Sequence, residues 1–364
     1  MDPNKITHHQ FIILVMLFTI GSNILDAPFV ITNVANQSGW LAGILGWGVG
    51  ILLVWLYSTV AQQFPKQTFI EYSQAVLGKA LGNALNLFYV IYYFFLSSVM
   101  VGLIISFLNL QILPRTPMEV IGISFLLIAI TGVHYGLGVI GRSAEIFFPW
   151  ISTFLCLMFI LLLPQINLSH LTPILDGGVR PIFRAAFTFL GLPFLELPIF
   201  LMIIPYVDNQ KHIKKCFLLG TLLGGLVLVS TIFLCILVLG AQLTSLNQYP
   251  SYQLGKEISI GNFIQRIEVM VAIIWILTIF YKLSICLFVT SHGLSKLLHL
   301  KEQRSVLLPL ILIISVITRI ISPNQSFYDQ FIRYYWAPAS LPIGLGIPLL
   351  LLIVGRLRKK SIAL

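Results

Sequence analysis

The sequence predicts an all-α polytopic membrane protein with ten transmembrane helices, arranged as two inverted repeats of five. Hydrophobic residues make up 58% of the 364 positions and charged residues only 9%, a balance typical of such a protein rather than of a soluble domain. Ten apolar runs are long enough to cross a bilayer. The first and the sixth of these runs are interrupted near their centres, which predicts broken helices at matching places in two halves.

Hydropathy places each run to within a few residues. The runs cover residues 10–34, 40–61, 84–108, 118–136, 146–163, 185–205, 216–240, 263–289, 305–322 and 337–355. We treat residues 1–364 as one transmembrane domain, with repeat one at about 10–163 and repeat two at about 185–355. Because each repeat has an odd number of spans, the two insert in opposite orientations. Interrupted helices at matching positions then mark a binding site near the middle of the membrane.

The loop charges predict the orientation. With the N-terminus inside, fourteen Lys and Arg residues fall on the cytoplasmic side and seven on the other, and Lys282 completes the total of 22. The seven are Arg115, Arg180, Arg184, Lys256, Arg266, Arg319 and Arg333. This excess predicts that both termini are cytoplasmic. It also explains the net charge of +10 without a nucleic-acid partner.

The sixth run contains a carboxyl group among helix breakers. Gly191, Pro193 and Pro198 interrupt it, and Glu196 lies roughly 18 Å into a hydrocarbon core about 30 Å thick. Proline lacks an N–H and clashes with the preceding turn, so backbone groups are left unpaired there. Such groups are tolerated only inside protein or beside a polar cavity, and a carboxyl at this depth usually marks a functional site. The alternative is a proline-kinked helix whose neutral Glu196 pairs with a neighbour.

The first run is weakened at Gly21, Ser22 and Asn23, ahead of Asp26 and Pro28. Glycine and serine lower helix stability, asparagine competes for backbone hydrogen bonds, and Pro28 removes a donor. We expect Asp26 to cap the outer half-helix. Alternatively, Asp26 faces water or contacts the amine of a ligand.

Lys282 is a second charge inside a span, about 12 Å from the cytoplasmic end of the eighth run. Its ammonium could snorkel to the interface. The other interpretation places it against carbonyls exposed by the first interruption, where it would replace a coupling cation or serve as a proton site. Ser284 would assist it, and Glu196 is a second candidate proton site.

These features predict a ligand. Helix N-termini bind carboxylates, and free carbonyls suit an ammonium, so a cavity with both fits a free amino acid. The backbone near residues 21–23 would hold the carboxylate, and that near residues 191–194 the amine. Phe189, Phe194 and Leu195 could wall the side chain. The predicted ligand-binding residues are Gly21, Ser22, Asn23, Gly191, Leu192, Phe194 and Glu196.

Other chemistry has little support. The four cysteines, Cys156, Cys216, Cys235 and Cys286, form no C-x-x-C motif and are interpreted as small packing residues. No metal set can be assembled around His8 and His9, and we expect no metal or other cofactor. No nucleophile–base pair shares a depth, so an enzyme is not expected. Arg142 and Glu145 are spaced to pair on one helix face.

Several segments, in order, closely resemble one family. They include ITHHQFIILVMLFTIGSNIL near the N-terminus, FPKQTFIEYSQAVLGKALG, LPRTP at 113–117, GRSAEIFFPW at 141–150 and INLSHLTPILDGGVRPI at 166–182. FLELPIFLMIIPYV at 194–207 and YPSYQLGKEISIGNFIQRIE at 249–268 complete the set. The family is that of the B subunits of bacterial spore germinant receptors, itself similar to amino acid–polyamine–organocation permeases. Glu196 and Lys282 match its carboxyl in the sixth span and its lysine in the eighth.

The resemblance implies a LeuT-like fold and a nutrient-sensing role, often for amino acids, in the inner membrane of the spore. It also implies partners: a larger A subunit and a lipoprotein C subunit. A germinant would bind in a permease-like cavity and shift a conformational equilibrium. The alternative is a proton-coupled amino-acid permease that transports its ligand. The family often has a compact Gly-rich break in the first span, where this chain has GSNILDAP.

Overall fold

The computed structural model describes residues 4–175, 177–258, 267–321 and 325–362. Arg266, one of the seven charges assigned to the outer side, lies outside these residues, as do residues 259–266 of the 249–268 motif.

Almost every described segment is helical, as expected from the hydropathy. The α-helices are α1 (His8–Ile20), α2 (Asn23–Ala35), α3 (Gly39–Gln63), α4 (Phe69–Leu77), α5 (Lys79–Gln111), α6 (Met118–Tyr135), α7 (Leu137–Leu162), α8 (Arg180–Gly191), α9 (Ile213–Leu246), α10 (Pro250–Glu257), α11 (Glu268–Leu297), α12 (Arg304–Ile321), α13 (Gln325–Phe331), α14 (Ala337–Leu341) and α15 (Ile347–Ile362). Short 3₁₀ helices lie at Asn36–Ser38, Leu163–Gln165, Leu168–Leu171, Leu197–Met202, Ile204–Tyr206 and Gln210–His212. Two π-helical turns, Ile332–Trp336 and Pro342–Gly346, separate α13, α14 and α15.

Within the described residues, eight continuous helical segments are long and apolar enough to span a membrane. One of them, Asn23–Gln63, has 41 residues. That is roughly 60 Å of helix, twice the hydrocarbon thickness. It divides at Asn36–Ser38 into α2 and α3. The apolar α1 and the α8 segment are too short to be counted by length alone. The total of ten spans stays a prediction.

The helices separate into a buried centre and a lipid-facing periphery. In α11, 78% of the most apolar stretch is buried inside the protein, whereas only 22% of the corresponding stretch is buried in the segment that begins with α7. α11 packs against α5, α7 and α1, and α9 packs against α1, α2 and α3. Exposed apolar residues on α6, α7 and α12 are expected here, because lipid rather than water surrounds them.

The N-terminal arm closes one end of the helix bundle. Ile6 forms an isolated parallel β-bridge with Val207, and its N–H donates to the Tyr206 carbonyl at 3.1 Å. Beside it, Glu145 lies 2.9 Å from His9 Nδ1 and accepts from Gln10 Nε2 at 2.9 Å. Glu145 thus ties the first turn of α1 to α7, and these contacts replace the ion pair with Arg142 that its spacing suggests.

The hairpin of α4 and α5 offers a test of the fold. A Cβ on Gly82 of α5 would lie 2.7 Å from Gln74 Cα and 2.9 Å from Gln74 N in α4. We expect Gly82→Ala to push the two backbones apart and to cost about 1–3 kcal/mol, as overpacking does. Thermal unfolding of the purified protein in detergent measures this.

Gly48→Ala is the matched control, because a Cβ added to this glycine of α3 would meet no atom within 4 Å. It should leave the unfolding midpoint unchanged or raise it, since alanine favours helix. Equal midpoints for the two variants would show that α4 is not held tightly on α5.

Candidate functional site: a buried ion pair between two interrupted helices

The first interruption lies between α1 and α2. α1 ends at Ile20, and Gly21 adopts φ +34°, a left-handed value that favours glycine. The freed Gly21 carbonyl accepts from Thr278 Oγ1 of α11 at 3.0 Å. The Asn23 amide donates to the Thr19 carbonyl at 2.9 Å. Side chains therefore satisfy backbone groups that the helix no longer pairs. Further on, Pro28 lies inside α2 without ending it.

The second interruption follows α8. The helix ends at Gly191, turns occupy residues 192–196, and a 3₁₀ helix begins at Leu197. Pro193 and Pro198 flank this segment, and their missing N–H groups account for the loss of regular helix. The N–H groups of Phe194 and Leu195 share the Leu190 carbonyl, at 3.2 and 3.1 Å. Glu196 lies in the last of these turns.

An ion pair joins the two interruptions. Lys282 Nζ of α11 lies 2.7 Å from Glu196 Oε2, and the two side chains are 0% and 2% exposed. Nζ also lies 3.5 Å from Ser22 Oγ and 5.2 Å from the centre of the Phe18 ring. The other carboxylate oxygen, Glu196 Oε1, accepts from Trp336 Nε1 at 3.1 Å. Each charge is therefore compensated where water cannot reach it.

Lys282 does not snorkel, because its side chain is fully buried and its ammonium faces Glu196. The sequence pattern predicted that this ammonium would face backbone carbonyls, whereas its contacts are a carboxylate, a hydroxyl and an aromatic face. Gly21 lies beside the lysine stem, since a Cβ there would come within 2.4 Å of Lys282 Cδ. Ser284 was expected to assist Lys282. Its hydroxyl has no hydrogen-bond partner among the residues described, and residues two apart on a helix do not face each other.

Three buried tyrosines satisfy carbonyls of the second interruption. Tyr57 of α3 donates to the Phe194 carbonyl at 3.3 Å. Tyr93 and Tyr89 of α5 donate to the carbonyls of Glu196 and Pro198 at 3.0 and 3.1 Å. Unpaired carbonyls in an apolar interior are costly, so these phenols stabilise the irregular backbone around Glu196. They were not predicted from the sequence, although the run YVIYY was a visible signal.

The distorted helix after α13 packs against the same segment. Trp336, which binds Glu196, ends a π-helical turn, and π-turns often occur at functional sites. Ala337 lies so close to Gly191 that a Cβ on the glycine would be 2.5 Å away. Tyr92 connects α5 to this helix through a 2.8 Å hydrogen bond to Ser340 Oγ. The contact of Trp336 with Glu196 was not predicted either. The sequence signal nearby is the Pro- and Gly-rich stretch APASLPIGLG, which follows Trp336.

Asp26 has a different partner from those expected. Its side chain is 7% exposed and accepts from the Tyr328 hydroxyl of α13 at 3.1 Å. The cap position of α2 is Ser22, which makes no side-chain cap bond. A small cavity of about 10 Å³ lies beside Asp26, Gln248 and Tyr328, enough for about one water molecule. Asp26 therefore ties α2 to α13 rather than capping a helix.

The predicted ligand-binding residues fall into two groups. Ser22 and Glu196 touch Lys282, and Gly21 packs on its stem. Leu192 and the Phe194 ring are buried, and that ring packs against Phe189, with 5.6 Å between centroids. Asn23 is occupied with a local hydrogen bond, and Gly191 faces Ala337. Binding roles for these residues stay predictions.

A sequence model of the family described as "Spore germination protein" matches residues 5–327. The chain belongs to this family. It is 27% identical to spore germination protein KB of Bacillus subtilis, over 99% of this chain and 97% of the relative. The similarity to this relative continues beyond residue 327. The resemblance inferred from the sequence motifs is confirmed.

Solved transporters share the fold. The amino-acid-bound structure of MhsT, in complex with L-phenylalanine, superposes with a TM-score of 0.68 at 15% identity, covering 95% of both chains. Mhp1, a nucleobase-cation-symport-1 transporter, superposes with a TM-score of 0.66 at 12% identity, and the match covers 94% of this chain and 77% of Mhp1. Both are LeuT-fold transporters, so the spore germination chain is a multi-pass membrane protein of the LeuT fold. None of these proteins is an enzyme, which confirms that expectation.

The ion pair predicts a non-additive pattern of stability. Glu196→Gln or Lys282→Met alone leaves one charge buried without its partner, which costs about 3–5 kcal/mol. The double variant removes both charges, and we expect it to be more stable than either single variant. A double-mutant cycle by thermal unfolding in detergent measures the coupling.

The exposed pair Glu119–Arg319, whose side chains are 52% and 64% exposed, is the matched control. Its own cycle should give a coupling of about 0–1 kcal/mol. Additive effects at Glu196 and Lys282 would contradict a buried ion pair.

Proposed function

We propose that this chain is the nutrient-sensing subunit of a spore germination receptor, and that its germinant is an amino acid bound between the two interrupted helices. The observation that carries the proposal is the buried Lys282–Glu196 ion pair, which touches both interruptions. An ionisable pair inside a membrane protein is a functional-site hypothesis by default. Family membership supports the germination role.

The two charges are complementary to a zwitterion. Lys282 borders the first interruption, so it and the backbone near Gly21 and Ser22 would receive the ligand carboxylate. Glu196 borders the second interruption, so it would receive the ligand ammonium. A free amino acid can thus replace each partner in the pair without leaving a buried charge unpaired. The Phe194 carbonyl, predicted to contact the amine, must first be released by Tyr57.

In the proposed mechanism the ligand acts by shifting a population. It stabilises whichever state binds it more tightly, and it can shift the equilibrium only by that difference in affinity. Transport is not required. The alternative is a proton-coupled amino-acid permease in which Glu196 or Lys282 exchanges a proton. The LeuT fold supports both candidates.

The proposal includes the setting of the receptor. The chain would lie in the inner membrane of the spore with both termini cytoplasmic, as the excess of Lys and Arg on that side indicates. It would assemble with a larger A subunit and a lipoprotein C subunit. Repeats at about 10–163 and 185–355 would place the two interruptions facing each other.

Charge recognition is tested by equilibrium binding of amino acids to the purified protein. For whichever amino acid binds best, we expect the amine without the carboxylate, and the acid without the ammonium, to bind about 10- to 100-fold more weakly. An uncharged analogue with equal affinity would contradict recognition by the pair. Concentrative uptake of that amino acid into proteoliposomes under a pH gradient would favour the permease, and saturable binding without uptake the sensor.

Germination of intact spores tests the two residues. Glu196→Gln and Lys282→Met should raise the amino-acid concentration needed for half-maximal germination by about tenfold or more, because each removes one charged contact. Immunoblots of spore membranes must show normal protein levels for the result to count. The double variant helps here, since it should be the most abundant of the three yet remain unresponsive. A normal response at normal abundance would make the pair a structural feature.

A further inference from the structure

A concave pocket of about 460 Å³ lies away from the ion pair, at the end of α11 predicted to be cytoplasmic. It is formed where the end of α11, the turn into α12 and the N-terminal arm meet. Side chains that line it include Asn4, His292, Lys296, His299, Lys301 and Gln303. Four of these six residues are Lys or His, and none of the described residues that line the pocket is Asp or Glu.

The positive charge is only partly compensated. Lys296 Nζ lies 3.3 Å from Glu71 Oε1, in a pair that is about half exposed. Burial raises the pKa of Glu71, but hydrogen bonds from Thr68 and the nearby ammonium outweigh this and hold its pKa below the usual value. Glu71 is therefore ionised at neutral pH and offsets one lysine. No ion-pair partner for Lys301 is found in the part of the chain that the structure describes.

The local backbone fixes the shape of the pocket. α11 ends at Leu297, and the Leu300 N–H returns to the Ser295 carbonyl at 2.9 Å. His299 adopts φ +52° in this turn, a value uncommon outside glycine. Gln303 is held by a 2.7 Å hydrogen bond from its amide to Ser291 Oγ. Gln303 is thereby held in the wall of the pocket, and Lys301, which has no ion-pair partner among the described residues, is available to a ligand.

The pocket also lies next to the contacts by which the N-terminal arm covers this end of the helix bundle. His292 Nε2 lies 3.2 Å from the Tyr206 hydroxyl, and its ring stacks on Phe288 at 5.8 Å with an 11° angle. The Tyr206 carbonyl accepts from Ile6, which holds the N-terminal arm. A ligand that binds His292 and Lys301 would therefore bridge α11, the turn into α12 and the residues that close this end.

We propose that this pocket binds a phosphate group. A phosphate offers three strong acceptor oxygens and up to two negative charges, which match several convergent donors better than a carboxylate does. Basic pockets between transmembrane helices on the cytoplasmic side are suited to lipid headgroup phosphates. A soluble phosphate ester has the same chemistry, so the experiment separates the two sources. This inference does not depend on the identity of the germinant.

The test uses the full-length protein in neutral detergent, with thermal unfolding followed at constant ionic strength. The probes are dioleoylphosphatidylglycerol in mixed micelles, dioleoylphosphatidylcholine in the same proportion, and inorganic phosphate against chloride. We expect phosphatidylglycerol, inorganic phosphate or both to raise the unfolding midpoint in a saturable way.

The pocket variant is Lys301→Gln with His299→Asn, because asparagine tolerates the left-handed backbone at position 299. The apparent dissociation constant should rise about tenfold, because the variant removes one ammonium and one imidazole from the pocket. The control is Lys66→Gln with Lys215→Gln, two exposed lysines on the same predicted side that do not line the pocket. It should bind as the wild type does. Lys301→Gln alone serves if the double variant does not purify as a single species.

The outcomes are distinct. Saturable stabilisation by phosphatidylglycerol alone, lost in the pocket variant and kept in the control, assigns the site to a lipid headgroup. Stabilisation by inorganic phosphate with the same pattern assigns it to free phosphate or its esters. Equal responses of the pocket and control variants would overturn the proposal, and so would the absence of stabilisation by either phosphate probe.

Discussion

The structure depends on one constraint: an ammonium and a carboxylate that are both cut off from water must remain in contact. Lys282 and Glu196 are 0% and 2% exposed and 2.7 Å apart. Either charge alone in this apolar environment would carry a large desolvation cost. The contact therefore fixes the position of α11 relative to the segment after α8. The pair is surrounded by Phe18, Ser22 and Trp336. It therefore brings α1 and the π-helical turn after α13 to the same point.

The interruptions make this contact possible. A regular helix would pair its own backbone, and it would leave no irregular segment for side chains from other helices to bind. Around Glu196 the open carbonyls are instead bonded by Tyr57, Tyr89 and Tyr93, and at the first interruption Thr278 bonds Gly21. The same hydrogen bonds that stabilise the breaks connect them to α3, α5 and α11. A change at the ion pair can therefore be transmitted to these three helices without passing through a loop.

Patterns that are local in sequence predicted much of this arrangement. Hydropathy predicted a helical membrane protein, and Pro193, Pro198 and Gly21 lie where the helices are in fact interrupted. The partners of Glu196 were harder to predict. Trp336 is 140 positions away in the chain, and nothing in the neighbouring sequence distinguishes it from an interfacial tryptophan. Lys282 was interpreted as facing backbone carbonyls, whereas the structure places the Glu196 carboxylate beside its ammonium. Sequence spacing does not reveal which side chain of another helix lies next to a given residue. Asp26 was assigned to its own helix for the same reason, whereas its partner Tyr328 belongs to α13.

A sensor and a transporter with this fold would differ at the ends of the bundle rather than at its centre. Exchange of the Lys282–Glu196 contact for contacts to a zwitterion conserves charge pairing, so it need not release the closure at either end. That closure consists of separate interactions: Ile6 with Val207 at one end, and Asp26 with Tyr328 on the other side of the first interruption. A transporter must open both in turn, and each opening has to be coupled to occupancy of the centre. A receptor needs only that occupancy change how α3, α5 and α11 pack, because a partner subunit can respond to that change. The direct hydrogen bonds from these helices to the interrupted segments supply such a connection, whichever end of the bundle remains closed.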